Sequence, residues 1–227
     1  AGTDAAGWFD DPVLRAQAAA AGGFLYSRPE DLHTNPANPL EAVFTSTGQG
    51  NVYPADDWGG IYVATLRFTP TGAGDLAATA RIRLLYDSDD TRDRGIRSPD
   101  NLVWAGDGRI YVQEDMATKR AAFGADSGRE VSIWSLDPAE PSRPVLVATV
   151  DRSAVPAGST DAKAGRIGEW ESSGIIDASD LLAKSPGETV LLVDVQAHSV
   201  QDGVVGGPRD LVQASQLLLL TRKGPGR

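Results

Sequence analysis

The sequence predicts an all-β protein with a β-propeller as the favoured architecture and one short N-terminal helix. Short apolar or alternating runs recur along the chain, and each is closed by Gly, Pro, Asn or Asp, which is the pattern of strands joined by turns. Similar strand-like phrases at 60–63, 108–112 and 131–137 recur at a spacing that suits successive blades. This recurrence favours a propeller over a sandwich or a barrel.

The helix is predicted over residues 13–21, where an Ala-rich run follows Asp10 or Asp11 as the N-cap candidate and stops at a Gly-Gly pair. From Phe24 onwards, β-branched and aromatic runs replace the Ala-rich pattern and predict strands. The predicted strands are 42–46, 60–68, 78–86, 102–104, 110–113, 131–136, 144–150, 173–176, 190–195 and 213–221.

Composition narrows the class of function. The net charge is −10 at pH 7, so the chain lacks the excess of Lys and Arg that nucleic-acid binding requires, and the acidic balance suits cation binding instead. There is no cysteine, so no thiolate of this chain is a nucleophile or a metal ligand. No apolar run approaches the length of a membrane span, and residues 1–11 have neither the basic nor the apolar part of a targeting signal.

The segment 98–115 predicts a β-hairpin with polar outer ends. A Gly-Asp-Gly turn joins two apolar runs, and in an antiparallel pair Asp100 and Asn101 before the first strand lie beside Glu114 and Asp115 after the second. Clustered carboxylates persist where a cation or a proton neutralises them, or where water screens them. This end of the hairpin is therefore either a cation site or a solvated acidic turn.

Further candidate residues lie in three other segments. Arg28 and Glu30 flank a proline that fixes the backbone, so Arg28 is suited to hold a phosphate or carboxylate and Glu30 to ligate a metal. A surface ion pair is the alternative. Glu171 lies beside Trp170 at the start of a strand, and His198 ends another strand, where it is either a metal ligand, an acid–base group or merely hydrogen-bonded.

Two motifs in this order, Arg28-Pro29-Glu30-Asp31 and Ser98-Pro99-Asp100-Asn101-Leu102, resemble the PhoX-type alkaline phosphatases and their uncharacterised bacterial relatives. The hairpin that ends in Glu114-Asp115 belongs to the same resemblance. Segments 170–175 and 194–198 look like the versions found in one branch of those relatives, so the similarity extends over residues 26–220.

The resemblance implies a six-bladed β-propeller that hydrolyses small phosphate monoesters at a site holding iron and calcium, in a secreted or periplasmic protein. It implies that Arg28 holds the phosphate, that Glu30 ligates metal, and that Asp100 and Asn101 supply a metal ligand and a phosphate donor. From their position at the same rim, we add four further metal-ligand candidates: Glu114, Asp115, Glu171 and His198.

This chain departs from that family in length and in its iron ligands. The family's propellers are much longer and take an iron ligand from a cysteine in their earlier half, which this chain lacks. We therefore expect the C-terminal part of such a protein, with an N-terminal half of the propeller as its partner and no activity alone. Residues 1–23 are then the helix and its connection, 24–222 are about half of the blades, and 223–227 are a tail.

Two other classes of function remain open. One is a calcium-dependent lactonase or another propeller hydrolase, because such propellers also surround one ion with acidic and amide side chains. The other is a calcium-stabilised binding propeller that is not an enzyme. Arg28 separates the phosphatase from the lactonase, because a phosphate site needs a cation beside the metal.

Overall fold

The computed structural model describes residues 9–51, 55–72, 74–203 and 214–223. Helix α1 spans Asp11–Ala20, a four-residue helix α2 spans Ser88–Thr91, and a 3₁₀ turn spans Arg92–Arg94. The strands are β1 Pro29–Thr34, β2 Glu41–Ser46, β3 Gly60–Pro70, β4 Leu76–Asp87, β5 Pro99–Trp104, β6 Ile110–Glu114, β7 Ser132–Leu136, β8 Val145–Thr149, β9 Thr160–Asp161, β10 Glu171–Asp177, β11 Glu188–Ala197, β12 Val200–Gln201 and β13 Ala214–Lys223. The prediction of an all-β protein is confirmed.

The described strands form four antiparallel sheets. The first sheet has the order β1-β2-β3-β4, the second β5-β6-β7-β8 and the third β10-β11-β13, while β9 and β12 form a small pair. Within the first and second sheets, strands that follow one another in the chain also pair with one another. This order is the one that short turns between antiparallel strands produce.

The second sheet packs between the first and the third. Because side chains alternate along a strand, Leu102 and Trp104 pack on one face of β5 against the first sheet, while Val103 packs on the other face against the third. Strands β6 and β7 are consequently buried along their whole length. Burying each large apolar side chain here stabilises the fold by about 1.5–3 kcal/mol.

The outer faces of the first and third sheets carry exposed apolar side chains. On the first sheet the exposed set includes Ile82 and Leu84, and on the third it includes Ile176, Leu217 and Leu219. The alternate residues of the same strands, such as Ile175, point to the other face and belong to the core between the sheets. These two outer faces are therefore apolar without being covered by the described residues.

Most strand predictions agree with the structure to within a few residues, and the hairpin predicted at 98–115 is confirmed as β5 and β6. The sequence analysis missed β1, because Pro29 reads as a turn. A proline is tolerated at the first position of a strand, and Pro29 begins β1. The predicted tail, apart from Lys223, lies outside the described residues.

Within the described part of the chain, no helix has both the length and the apolar character needed to cross a lipid bilayer.

Candidate metal centre

A group of three carboxylates lies at one end of the β5-β6 hairpin. Asp100 is the second residue of β5, and Asp115 directly follows β6. The backbone N–H of Asp115 donates to the carbonyl of Ser98 at 3.0 Å, which holds the two strand ends together. Glu171 begins β10, which lies beside β5. One oxygen from each of Asp100, Asp115 and Glu171 lies within 4.8 Å of the others, and we call these three residues the carboxylate cluster.

The cluster favours the binding of a proton or a cation. Asp100 is only 7% exposed. Its burial raises its pKa to about 7, and the charges of Asp115, Glu171 and Glu30 act in the same direction, while Arg28 acts against them. Burial, followed by the charge of Asp115, also raises the pKa of Glu171. Neighbouring carboxylates cannot all ionise without cost, so a metal ion that replaces the proton relieves the repulsion.

Arg28 approaches the cluster from the first sheet. Its Nη2 lies 3.6 Å from Oδ2 of Asp115, and its Nε lies 3.4 Å from Oε1 of Glu30. Arg28 has a φ of 65°, in the left-handed region that is strained for a residue with a side chain. The backbone N–H of Thr47 donates to the carbonyl of Arg28 at 2.9 Å and helps to hold this conformation. The strained backbone thus places a cation against the cluster.

His198 completes the group on the side of the third sheet. It follows β11, and its Nε2 lies 3.2 Å from Oε2 of Glu171. This contact opposes the rise in the pKa of Glu171 that burial produces. The structure therefore brings together six of the candidate residues from four separate segments. They are Arg28, Glu30, Asp100, Asp115, Glu171 and His198.

Asn101 lies next to the cluster and links the second sheet to the third. Its Oδ1 accepts hydrogen bonds from Oγ of Ser173 at 3.0 Å and from the backbone N–H of Gly174 at 3.1 Å. The oxygen of this amide is therefore used in holding β10 against β5. A role of Asn101 toward a ligand would have to use its amide nitrogen.

Glu114, in contrast, is not brought to the cluster, although the sequence analysis placed it at the same rim as Asp115. It is fully buried. Arg97 donates to both of its oxygens, from Nε at 3.1 Å and from Nη2 at 2.7 Å, and Trp134 donates from Nε1 at 2.9 Å. Side chains alternate along an extended chain, so Glu114 points into the core when Asp115 points outward. Glu114 is the partner of a buried arginine.

Asp31, the last residue of the first motif, also has a structural contact. Its Oδ2 accepts a hydrogen bond at 2.9 Å from the backbone N–H of Leu102, and its own N–H donates to Oγ1 of Thr45 at 3.2 Å. Asp31 therefore ties β1 to β5 and helps to place Glu30 and Asp100 near each other.

The sequence analysis missed a charged group beside the cluster. Arg120 and Lys163 both form ion pairs with Glu169, which lies two residues before Glu171. The only signal in the sequence is that Arg120 lies in one long polar loop, predicted at 116–128, and Lys163 in another, predicted at 151–167. Sequence alone does not show that the two segments meet.

A scan against protein-family models and searches of curated proteins and of solved structures each found no match to this chain. The resemblance to PhoX-type phosphatases therefore depends on the motifs alone.

Proposed function

We propose that this chain is the C-terminal part of a metal-dependent phosphatase that hydrolyses phosphate monoesters when its propeller is complete. The contact between Arg28 and Asp115 is the observation that carries the proposal, because it places a guanidinium beside a cluster of carboxylates. A phosphate monoester is an anion, and a guanidinium can bind two of its oxygens at once. A site for such an ester needs positive charge from both a metal and a fixed cation.

The carboxylate cluster fits a hard cation such as calcium. Calcium–oxygen distances are about 2.3–2.6 Å, so two ligands on opposite sides of one ion are separated by about 5 Å. The cluster oxygens all lie within 4.8 Å of one another. Carboxylate oxygens suit calcium, whereas iron, which the resemblance implies, favours nitrogen or sulfur ligands as well. His198 is the candidate iron ligand among the residues around the cluster.

Each residue around the cluster has a role that its position supports. A bound metal would neutralise charge on the phosphate and make the phosphorus more open to attack. Arg28 would orient the ester by binding its non-bridging oxygens, exchanging its longer contacts with Asp115 and Glu30 for them. His198, next to Glu171, would ligate the iron. The amide nitrogen of Asn101 would donate to a phosphate oxygen.

We also propose that the three larger sheets are successive blades of a propeller. Strands β1 and β10 both lie against β5, so the first strands of the three sheets are neighbours. Two cluster residues, Asp100 and Glu171, and the neighbouring Glu30 lie on these first strands. In a propeller, such strands surround the central axis, where a ligand would bind. The apolar outer faces of the first and third sheets would then pack against blades of an N-terminal half.

The proposal retains the location that the resemblance implies, a secreted or periplasmic protein. Calcium sites in extracellular modules work at dissociation constants of about 10⁻⁴–10⁻³ M, so a site of few carboxylates is sufficient there.

The test uses the full-length protein that contains this chain, loaded with calcium and iron. Hydrolysis of p-nitrophenyl phosphate is compared with hydrolysis of a panel of lactones. Arg28→Ala is expected to lower kcat/KM for the phosphate ester by about 10²-fold or more, because a cation that contacts the developing charge is lost. Arg143→Ala, which removes an arginine that is 81% exposed in an ion pair with Glu140, is the matched control and should keep full activity.

Two results would contradict the proposal. Turnover of lactones but not of phosphate esters would indicate a lactonase. Calcium binding without turnover of any ester, with both metals verified, would favour a binding protein. Equal phosphatase activity in Arg28→Ala and in the control would remove the role given to Arg28.

A further inference from the structure

The first and second sheets begin with the same local structure. In each, a residue with a positive φ precedes the proline that opens the first strand, and this φ is 65° at Arg28 and 41° at Ser98. The carbonyl of Arg28 accepts a hydrogen bond at 2.9 Å from the backbone N–H of Thr47, which directly follows the second strand of its sheet. The carbonyl of Ser98 accepts one at 3.0 Å from Asp115, which has the same place in the second sheet. The shared geometry indicates that the two sheets are repeats of one structural unit.

The repeat extends across all the strands of both sheets. In each sheet, the pairing of the first two strands shifts register between the opening proline and the third residue after it. Leu32 and Leu102 are therefore in corresponding positions, and each begins a row of paired residues that share one face of the sheet. The row of the first sheet is Leu32, Phe44, Tyr62 and Leu84, and that of the second is Leu102, Val112, Trp134 and Leu146.

In the second sheet this row forms an interface with the sheet before it. Leu102, Val112 and Trp134 are buried in the core that the first and second sheets share. In the first sheet the corresponding row lies on the outer face, where Leu32 is 61% exposed and Leu84 is 46% exposed. The outer face of the first sheet therefore corresponds to a surface that, in the next repeat, another sheet covers.

The residue two positions before each opening bend also takes part in these surfaces. Ile96 is fully buried in the core between the first and second sheets. Tyr26, at the corresponding position, lies edge-on against Phe44 and Tyr62, with its ring centroid 5.1 Å from each of theirs, and those two rings stack on each other. The rings give the outer face an ordered apolar surface of the kind on which another sheet packs.

A hydrogen bond from one sheet to the next also repeats. Oδ2 of Asp31 in the first sheet accepts a hydrogen bond at 2.9 Å from the backbone N–H of Leu102. Asn101 has the corresponding place in the second sheet, and its Oδ1 accepts one at 3.1 Å from the backbone N–H of Gly174 in the third. The N–H of Leu32 instead donates to Oδ1 of its own neighbour, Asp31, at 2.7 Å. Among the described residues, no other sheet gives Leu32 the acceptor that Leu102 and Gly174 have.

We propose that the outer face of the first sheet binds a preceding sheet of the same kind, and that an Asp or Asn of that sheet accepts a hydrogen bond from the backbone N–H of Leu32. This residue would follow a proline and an acidic residue, as Asp31 and Asn101 do. The inference rests on the proposed function, in which an N-terminal half completes the propeller, and it adds the chemistry of the partner. A backbone N–H that becomes covered needs an acceptor, so the partner has to bring one to this point.

The first test measures whether the outer face is covered in the full-length protein that contains this chain. Leu84→Cys is treated with a maleimide, and its modification is followed by mass spectrometry. Leu182→Cys is the matched control, because Leu182 is 43% exposed and lies between β10 and β11, away from this face. A covered residue reacts only when the structure opens, so modification at position 84 should be slower by about tenfold or more. Equal rates would overturn the inference, as would protection that is lost on dilution, because a second copy would then be the cover.

The second test examines the acceptor by hydrogen exchange in the same full-length protein. Asp31→Ala removes the acceptor of Leu102, whose N–H should exchange faster by about tenfold or more, while that of Leu32 should stay protected by the preceding sheet. Asp31→Asn keeps an acceptor oxygen and is the matched control, with unchanged exchange at Leu102. Fast exchange at Leu32 in Asp31→Ala would overturn the inference.

Alanine in place of the Asp or Asn in the preceding copy of the motif should abolish the protection of Leu32, and protection that persists there would also overturn the inference. Neither test measures turnover. A protein that passes both tests but hydrolyses no ester would contradict the proposed hydrolysis alone. A protein that is active but is modified equally at positions 84 and 182 would contradict this inference alone, so the two failures are distinguishable.

Discussion

The guanidinium of Arg28 lies 3.6 Å from the carboxylate of Asp115, although the two residues adjoin strands of different sheets. Arg28 precedes the first strand of one sheet, and Asp115 follows the second strand of another. The contact joins a cation to the carboxylate cluster. Arg28, the cluster and the core beneath them lead to five predictions beyond the experiments above.

Asp115→Asn is expected to weaken calcium binding by about tenfold or more, because affinity depends on the number of charged ligands. Titration calorimetry of the metal-free protein with calcium measures the effect. Asp180→Asn removes a fully exposed carboxylate that pairs only loosely with Lys184, and serves as the control. Equal calcium affinity in the two variants would show that the cluster is not the site.

The contribution of Asp100 to the stability of the metal-free protein should fall as the pH rises from about 4 to about 7. Burial raises the pKa of Asp100 from 3.8 to about 7, so in this range the folded protein holds a proton that the unfolded chain has already released. Each pKa unit corresponds to about 1.4 kcal/mol. Asp100→Asn has no carboxyl at this position and does not lose stability in this way. The free energy of unfolding of the variant, relative to that of the intact protein, should therefore increase up to pH 7 and then stay constant. Denaturant unfolding with a chelator present measures it, and an advantage independent of pH would contradict the assignment.

The same proton competes with calcium. Below pH 7, calcium must displace the proton from Asp100, so the apparent calcium affinity should decrease as the pH falls through that value. The intact protein titrated at pH 6 and at pH 8 should show this difference. An affinity that does not change between these two values would indicate that Asp100 is not a ligand.

Glu114→Gln should destabilise the fold by about 1.5–3 kcal/mol, because it removes one of the two buried carboxylates, Glu114 and Asp93, that pair with the fully buried Arg97. Glu140→Gln, in an exposed pair with Arg143, should change the unfolding free energy by no more than about 0.5 kcal/mol. Thermal unfolding measures both. At temperatures where Glu114→Gln is folded, it should bind calcium normally. Loss of calcium binding at unchanged stability would instead place Glu114 in the metal site.

Arg28→Gly should be more stable than Arg28→Ala by about 0.5–1 kcal/mol. Glycine accepts the positive φ of this position, although its greater freedom in the unfolded chain offsets part of the gain. At Arg94, an exposed residue in the 3₁₀ turn, the same comparison should have the opposite sign. Both variants at position 28 should show the same loss in kcat/KM for the proposed phosphate-ester substrate, about 10²-fold or more. If alanine were the more stable replacement there, the strained backbone would not be a property of the position.

Much of the second sheet follows from the sequence, because its turn residues and apolar runs specify the β5-β6 hairpin. Antiparallel pairing then correctly predicts that Asp100 and Asp115 meet. The prediction that the side chain of Glu114 lies at the rim of the sheet was wrong. Neighbouring residues of an extended chain point to opposite faces, so Glu114 and Asp115 cannot both face the rim. The register shifts between Pro99 and Leu102, so counting along the sequence could not place each side chain.

Contacts between segments that lie far apart in the sequence could be predicted only from the resemblance to the PhoX-type phosphatases. Its motifs indicated that Arg28 and Glu30 belong with Asp100, while nothing local in the sequence links Glu171 to His198. The ion pairs of Glu169 with Arg120 and Lys163 could not be predicted from the sequence, because they depend on how two long loops fold against each other.

The uncovered apolar side chains on both flanks of the three packed sheets have a practical consequence for handling this polypeptide. Produced by itself, the chain would expose apolar surfaces on both flanks, such as those around Leu84 and Leu217. It would therefore tend to aggregate or to bind chaperones. Co-expression with the N-terminal half of the proposed propeller should keep it in solution.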